Sequence, residues 1–193
     1  PVSTGGITST ATLINGTRWS DTTNFPMSAY NGGYLTFNGF TQHLQSSYSP
    51  FLDLKYSIVD SFRIEFTYKY KAAYKVALII SNYNLATAGG YYISLGLDVE
   101  NQLSFYGPNK ARVAIGDNFN ADTNLHRCVI VFTKSNSTLR SWIDGVLKYT
   151  HTSYTFSDNG QATDYTLCIG NTAEVGGTSN YTDSYSYSVQ SYS

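Results

Sequence analysis

Several turns of this chain combine tyrosine with asparagine, a pairing that suits sugar binding. Sugars carry many hydroxyls, so a site for them needs aromatic faces beside groups that donate and accept hydrogen bonds. These residue types occur together in residues 30–34, in residues 83–84 and in residues 117–124. The sequence therefore predicts a carbohydrate-binding site at loop rims, with the candidate residues Tyr30, Tyr34, Tyr83, Asn84, Asn118 and Asn120.

Ordinary packing is the alternative for every aromatic side chain. The chain contains 18 Tyr and 2 Trp, and antiparallel sheets favour aromatic residues. Trp19 and Trp142 are secondary sugar-binding candidates for that reason. Trp142 shares strand parity with Arg140, whereas Leu139 and Ile143 have the opposite parity. We expect Trp142 to face away from those two aliphatic residues, and there we favour packing under a neighbouring loop over ligand binding.

The sequence lacks the arrangements of nucleophiles and metal ligands that catalysis requires. It contains no Gly-x-Ser-x-Gly element, and His43, His126 and His151 are isolated from one another. It also contains no His-x-x-x-His or Cys-x-x-Cys pair. Cys128 and Cys168 lie in apolar strand patterns, which favour buried free thiols over the alternative of one disulfide. The sequence predicts that the protein is not an enzyme.

The charge and composition of the chain limit the classes of partner that it can bind. The chain has 12 Lys and Arg against 13 Asp and Glu, so its net charge is −1, whereas a protein that neutralises many phosphates carries a basic excess. This balance argues against nucleic-acid binding. No apolar run approaches the ~18 residues that a membrane span requires, which argues against membrane insertion. Charged residues make up 13%, about half the usual share, so hydroxyls and amides supply much of the surface polarity.

Alternation with a period of two dominates the sequence and predicts an all-β protein. In residues 62–71, apolar and aromatic side chains alternate with charged residues and Thr, as in a strand with one buried face. Further strands are predicted over residues 76–81, 91–97, 102–106, 112–115, 127–133, 138–143, 146–150 and 165–169. About ten to twelve short strands with Gly, Asn and Asp turns predict an antiparallel sandwich or barrel.

Turn signals and composition define the domain organisation. The dipeptides Asn38-Gly39 and Asp144-Gly145 predict two-residue hairpin turns, because both central residues of a type I′ turn have positive φ. No Pro- or Ser-rich linker interrupts residues 30–170, so we predict one domain over residues 1–193, with its core at about 13–171 and a polar arm at 1–12.

Residues 176–193 alternate Tyr with Ser. They form either an edge strand with Tyr185, Tyr187 and Val189 inward, or a tail that orders on a partner.

Three segments carry a family resemblance. Residues 125–150 place His126 before an alternating strand, a polar turn and a second strand that ends in the sequence Trp-Ile-Asp-Gly-Val-Leu. Residues 34–40 hold a strand with a Gly turn, and residues 165–171 hold a strand that ends in Ile-Gly-Asn. In this order the segments resemble laminin-G-like and pentraxin-like members of the concanavalin-A-like lectin/glucanase superfamily. The resemblance implies a jelly-roll of two curved antiparallel sheets. Leu125, where the family often has an aromatic residue or a second His, departs from the pattern, and the Tyr/Ser tail matches the closing strand poorly.

The resemblance also bears on two kinds of chemistry, glycoside hydrolysis and calcium binding. The superfamily's glucanases use paired carboxylates, but no Glu of this chain lies two or four residues from another, which disfavours hydrolysis. Many laminin-G-like and pentraxin-like domains hold Ca²⁺, which takes about six to eight oxygen ligands, at the sandwich rim. Asp117, Asn120 and Asp122 are the matching candidate ligands here, although Asx-rich stretches are also ordinary turns. We therefore predict no cofactor, with calcium at this loop as the alternative.

The combined observations predict a non-enzymatic protein for display, adhesion or assembly at an exterior surface. Its predicted partners are neighbouring protein subunits and cell-surface glycans. The start at Pro1, the absence of a secretion signal and the low-charge Tyr/Ser/Asn surface favour a phage virion component, such as a head decoration or fibre protein. The alternative is a secreted, extracellular laminin-G-like lectin or cell-adhesion module with a calcium-dependent glycan site.

Overall fold

The computed structural model describes residues 11–14, 18–20, 34–36, 43–46, 60–70, 77–81, 90–95, 102–107, 112–116, 124–155, 168–169 and 185–188. These residues form fourteen β-strands and one short 3-10 turn. The strands are β1 Ala11–Ile14, β2 Arg18–Ser20, β3 Tyr34–Thr36, β4 His43–Ser46, β5 Ser61–Tyr70, β6 Ala77–Ser81, β7 Tyr92–Leu95, β8 Leu103–Tyr106, β9 Arg112–Gly116, β10 Leu125–Thr133, β11 Thr138–Ile143, β12 Val146–His151, β13 Cys168–Ile169 and β14 Tyr185–Ser188. Within the described ranges, no helix has the length and apolar character needed to cross a bilayer.

The strands form two sheets of seven strands each. One sheet has the order β1-β4-β13-β6-β7-β8-β9, and the other has the order β12-β11-β10-β5-β14-β3-β2. Neighbouring strands are antiparallel throughout both sheets. The predicted fold class, an all-β two-sheet antiparallel jelly-roll sandwich, is confirmed.

Strand β5 shows how the sequence alternation becomes layered structure. Phe66 and Tyr68 are 1% and 2% exposed, whereas Arg63, which has the opposite parity on the same strand, is exposed. β5 pairs along its length with β10, and Cys128 lies opposite both Phe66 of β5 and Ile143 of β11. Since directly paired residues share a face of a sheet, this register collects the apolar side chains of three strands on one side.

The core lies between the two sheets and is rich in aromatic rings. Phe62 of β5 lies 5.3 Å from Phe132 of β10 between ring centroids, and 5.8 Å from Phe105 of β8 in the other sheet. Phe62 therefore joins the two layers. Tyr154, which follows β12, also reaches this cluster through ring contacts with Phe105 and Phe132. Burial raises the pKa of the Tyr154 hydroxyl above its ordinary value.

The β11–β12 hairpin has the predicted turn. Ile143 lies opposite Val146, and the two residues between them, Asp144 and Gly145, have φ of 52° and 80°. Both values are positive, as a type I′ turn requires, so this hairpin prediction is confirmed. The predicted polar turn between β10 and β11 is a 3-10 turn that ends at Ser137, whose φ is 50°. The other hairpin signal, Asn38-Gly39, lies outside the described residues.

Strand β14 occupies an interior position in its sheet. It pairs with β5 on one side and with β3 on the other. The Tyr/Ser segment therefore contributes a strand, as one of the two alternatives predicted, but the predicted edge position is wrong. The sequence pattern could not place it, because strand order depends on pairing partners that are distant in the chain.

Both cysteines are free and buried. Cys128 is fully buried in the core, where desolvation of the thiolate raises the pKa of the thiol well above its ordinary value. Cys168 belongs to β13 in the other sheet and is 2% exposed. The predicted free thiols are confirmed, and both are poor nucleophiles in the folded protein.

Candidate functional site

The two sheets differ sharply on the sides that point away from the core. Strands β6, β7, β8 and β13 point a set of mostly small or hydroxyl-bearing side chains outward, yet each is at most 8% exposed. We call this surface the covered face. Its buried residues are Ser81, Tyr92, Ser94, Ser104, Tyr106 and Cys168. Because these side chains are shielded, the covered face is not accessible to a ligand from solvent.

The covered face is ordered by packing between strands. Ser94 lies directly opposite Ser104, and Tyr92 lies opposite Tyr106. The two tyrosine rings stack with their centroids 4.1 Å apart and their planes 15° from parallel. The Ser94 hydroxyl oxygen is buried and has no hydrogen-bond partner among the described residues. This is tight structural packing rather than an open site.

The opposite sheet presents a surface that solvent reaches. Strands β5, β10, β11 and β12 lie side by side there, and their outward-facing residues include charged, aromatic and aliphatic side chains. We call this surface the open face. Four strands spaced about 4.8 Å apart give it a width of roughly 14 Å. Its residues are Arg63, Glu65, Thr67, Arg127, Val129, Val131, Arg140, Trp142, Leu147 and Thr150.

An ion-pair cluster lies on one side of the open face. Glu65 accepts hydrogen bonds from Arg63 Nη2 and from Arg127 Nε, each at 2.6 Å. The two arginine side chains are 52% and 50% exposed, whereas the Glu65 side chain is only 10% exposed. Burial raises the pKa of Glu65, but the hydrogen bonds and positive charges of the two arginines outweigh it and hold that pKa below its ordinary value. Glu65 is therefore an anchored carboxylate at neutral pH.

Apolar side chains continue the same row toward the sheet edge. Trp142 lies opposite Val129 on one side and Leu147 on the other, and Val129 in turn lies opposite Glu65. Leu147 is 51% exposed, and Trp142 is partly exposed. The prediction that Trp142 faces away from the core is confirmed. Arg140, two residues before it, is exposed and makes no ion pair with any residue that the structure describes.

The hairpin turn fixes one end of the open face. The Asp144 carboxylate lies 2.7 Å from His126 Nδ1 and accepts a hydrogen bond from the Arg127 backbone N–H at 2.8 Å. The Asp144 backbone N–H donates to the Arg127 carbonyl at 2.9 Å. His126 also contacts the Tyr68 ring, with centroids 5.6 Å apart. These bonds hold the start of β10, and with it Arg127, against the β11–β12 turn.

The open face has the chemistry of a binding surface. It offers an indole ring, planar guanidinium donors and a carboxylate acceptor on a rigid sheet. Glu65 is ionised and paired with two arginines, which suits neither proton donation nor nucleophilic attack. No group of three or more potential His, Cys, Asp or Glu metal ligands occurs among the described residues.

Most site residues predicted from the sequence lie outside the described residues. Tyr34 belongs to β3, although its side chain is not among those described. The other sugar-binding and calcium candidates lie outside the described residues and stay predictions: Tyr30, Tyr83, Asn84, Asp117, Asn118, Asn120 and Asp122. Sequence reasoning included Trp142 but missed the cluster of Arg63, Glu65 and Arg127. The only local signal was the alternate charged positions of β5.

Solved structures with the same fold cover most of the chain. The botulinum neurotoxin serotype D binding domain matches with a TM-score of 0.63 and 11% identity over 98% of this chain and 45% of its own. The receptor-binding domain of botulinum neurotoxin mosaic serotype C/D gives a TM-score of 0.64 and 10% identity over 96% and 42%. The CBM40 of Ruminococcus gnavus IT-sialidase, bound to α2,3-sialyllactose, gives 0.50 and 12% over 75% and 86%.

These likenesses show a shared fold. The chain spans less than half the length of the botulinum toxin chains that it matches. No protein-family model matches the sequence, and no curated protein matches it. Membership of the concanavalin-A-like superfamily stays a prediction, because likenesses at 10–12% identity show a shared fold alone.

Proposed function

We propose that the protein is a non-enzymatic carbohydrate-binding domain whose binding surface is the open face. The observation that carries this proposal is the row in which partly exposed Trp142 lies between Leu147 and Val129 and ends at the Glu65 ion-pair cluster. An aromatic ring supplies a flat surface for the apolar side of a sugar ring. The neighbouring guanidiniums and carboxylate supply donors and acceptors for its hydroxyls.

Preorganisation favours binding at this surface. Arg63 and Arg127 are already held by Glu65, so little side-chain entropy remains to be lost when a ligand arrives. The residues also lie on strands in the middle of a long-paired sheet rather than on loops. A rigid scaffold keeps the ring and the polar groups at fixed spacing, which is what recognition of a rigid sugar ring requires.

The fold comparisons support the same proposal. A CBM40 with this fold has been solved with α2,3-sialyllactose bound, and two botulinum domains with this fold are described as binding domains. Such folds therefore serve binding functions in other proteins. At 10–12% identity they do not transfer a ligand or a site. The open face carries the residue-level part of the proposal.

Intrinsic fluorescence tests the proposal, because the chain has only 2 Trp. We expect a glycan identified on an array to change the tryptophan emission on titration, and we expect Trp142→Ala to weaken its binding by about tenfold or more, since one good aromatic contact contributes about that factor. Val146→Ala is the matched control, because Val146 is 58% exposed on the same hairpin but lies opposite Ile143 of the core. Binding that survives Trp142→Ala unchanged would move the site elsewhere.

We propose two alternative cellular settings for this domain. A virion-surface component is supported by the low-charge composition, and a secreted lectin with a calcium-dependent site is supported by the Asx-rich residues 117–124. A chelator separates the two versions. Glycan binding that is lost with chelator and restored by Ca²⁺ supports the calcium-dependent lectin, whereas chelator-insensitive binding supports the open face alone.

A further inference from the structure

We infer that the open face selects acidic saccharides, meaning sugars that carry a carboxylate or a sulfate group, and that Arg140 determines this selectivity. The inference rests on the proposed function, because it names the ligand class of the same surface. It is argued from the charges and spacing of the open face.

The open face is positively charged, whereas the chain as a whole is slightly negative. The chain as a whole has a net charge of −1, but the open face carries three arginines against Glu65 and, at its hairpin end, Asp144. Glu65 is shared between Arg63 and Arg127, so two guanidiniums compete for one carboxylate. The surface is thus positive after its internal ion pairs are counted, and it favours an anionic ligand over a neutral one.

Arg140 is placed to bind the acidic group. It is exposed, and no described residue forms an ion pair with it. It precedes Trp142 by two residues on one strand, so the two side chains share a face with their Cα atoms about 7 Å apart. A sugar ring lying on Trp142 therefore holds a carboxylate or sulfate within reach of Arg140. The guanidinium matches both groups because it donates two parallel hydrogen bonds.

A second arginine lies in the same row as Arg140. Val131 pairs with Arg140 on one side and with Arg63 on the other. Two strand spacings separate the two arginines by about 10 Å. Arg63 is partly occupied by Glu65, so it supports the acidic group through its charge, whereas Arg140 makes the direct contact. The small and apolar Val131 between them leaves the approach free of competing acceptors.

The first experiment compares ligands by titration calorimetry with the full chain. The probes are lactose, sialyllactose and lactose 3′-sulfate, with sodium acetate and sodium sulfate as free anions and a single-stranded oligonucleotide as an unrelated polyanion. We expect both acidic saccharides to bind about tenfold more tightly than lactose, because a charge-assisted bidentate pair contributes about that factor. The difference should shrink as salt is raised, since the pair is exposed. We expect the free anions and the oligonucleotide to bind weakly or not at all.

The outcomes separate this inference from the proposed function. Equal affinity for lactose and the acidic saccharides would overturn the acidic selectivity and leave carbohydrate binding intact. Binding of none of the three would count against both. Free anions that bind as tightly as the acidic saccharides would show an anion site without sugar recognition. Tighter binding of the oligonucleotide would overturn the inference in favour of nucleic acid.

Three variants test the role of Arg140. Arg140→Gln should lower the affinity for acidic saccharides about tenfold and the affinity for lactose by a smaller factor, and Arg140→Lys should recover part of the loss. Glu65→Gln should strengthen the binding of acidic saccharides about threefold, because it removes the competing carboxylate.

Lys148→Gln is the matched charge control, since exposed Lys148 lies at the irregular point of the β11–β12 pairing, outside the rows of the open face. Equal losses in Lys148→Gln and Arg140→Gln would reduce the effect to net charge and overturn the assignment. Thermal unfolding of each variant confirms that it is folded.

Discussion

The two outward faces of the sandwich come from the same strand alternation but differ in chemistry. The covered face presents serines and stacked tyrosines, and its side chains are at most 8% exposed. The open face presents arginines, a glutamate and a tryptophan, and Arg63 and Arg127 are about half exposed. Burying a neutral hydroxyl costs far less free energy than burying a charge. Side-chain chemistry therefore decides which face tolerates a cover and which one must meet solvent.

The comparison supports placing the proposed binding surface on the exposed side. Rows of matched residues cross both faces, yet only the open face combines an aromatic ring with charged planar groups that a ligand can reach. The covered face instead adds packing outside the main core. Variants that contrast equivalent positions on the two faces can break or sharpen this distinction.

The largest expected contrast is between two aromatic truncations. Tyr106→Ala on the covered face should lower the free energy of unfolding by about 3 kcal/mol, because it removes a buried ring that stacks on Tyr92. Trp142→Ala on the open face should cost only about 1 kcal/mol, since Trp142 is partly exposed. Urea denaturation measures both values. Equal losses would mean that the two faces are packed alike.

A smaller contrast comes from enlarging a residue on each face. Ser94→Tyr should lower the free energy of unfolding by about 2 kcal/mol, because Ser94 is fully buried and a ring there overpacks the face. Thr150→Tyr, at an exposed position of β12 opposite Arg140, should change it by less than about 0.5 kcal/mol. Thermal unfolding monitored by circular dichroism distinguishes them. A harmless Ser94→Tyr would show that the covered face opens readily.

The ion-pair cluster should contribute about 1 kcal/mol to the free energy of unfolding, and this contribution should depend on pH. The pKa of Glu65 is lowered in the folded state, so its stabilising contribution is present above the ordinary carboxyl pKa of about 4.3 and is lost as pH falls through the folded value. Glu65→Gln should therefore lower the free energy of unfolding by about 1 kcal/mol at pH 7, and the difference from wild type should vanish in acid. Thr67→Ala on the same strand is the control, because neither side chain carries an ionisable group. A pH-independent cost of Glu65→Gln would contradict the ion-pair explanation.

The smallest expected effect is at the exposed apolar edge of the open face. Leu147→Ser should change the free energy of unfolding by less than about 0.5 kcal/mol, because Leu147 is 51% exposed. The same variant should weaken binding of the array-identified glycan, since Leu147 borders Trp142. Denaturation and fluorescence titration of one preparation measure both effects. A large loss of stability with unchanged binding would show that Leu147 packs structurally.

The sequence predicted the fold better than the site, and the reason is the range of the interactions involved. The alternation of β5 and the Asp144-Gly145 turn are local patterns, so the strand and the hairpin followed from neighbouring residues. The pair formed by Glu65 and Arg127 joins residues 62 positions apart. No local pattern connects them, so the ion-pair cluster could not be predicted. Trp142 was only a secondary candidate, because strand parity predicted the face of the sheet on which it lies but not the residues that lie beside it.

By itself the sequence determined the strand class, the direction in which each alternating residue of the central strands points, and the type of the β11–β12 turn. These properties depend on backbone geometry and on side chains a few residues apart. Only the tertiary structure decided that β14 lies inside its sheet, that β10 pairs with β5 in the register that brings Arg127 to Glu65, and that one outward face is shielded while the other is exposed. Those outcomes depend on which distant strands pair, because pairing places one strand's outward residues beside another's.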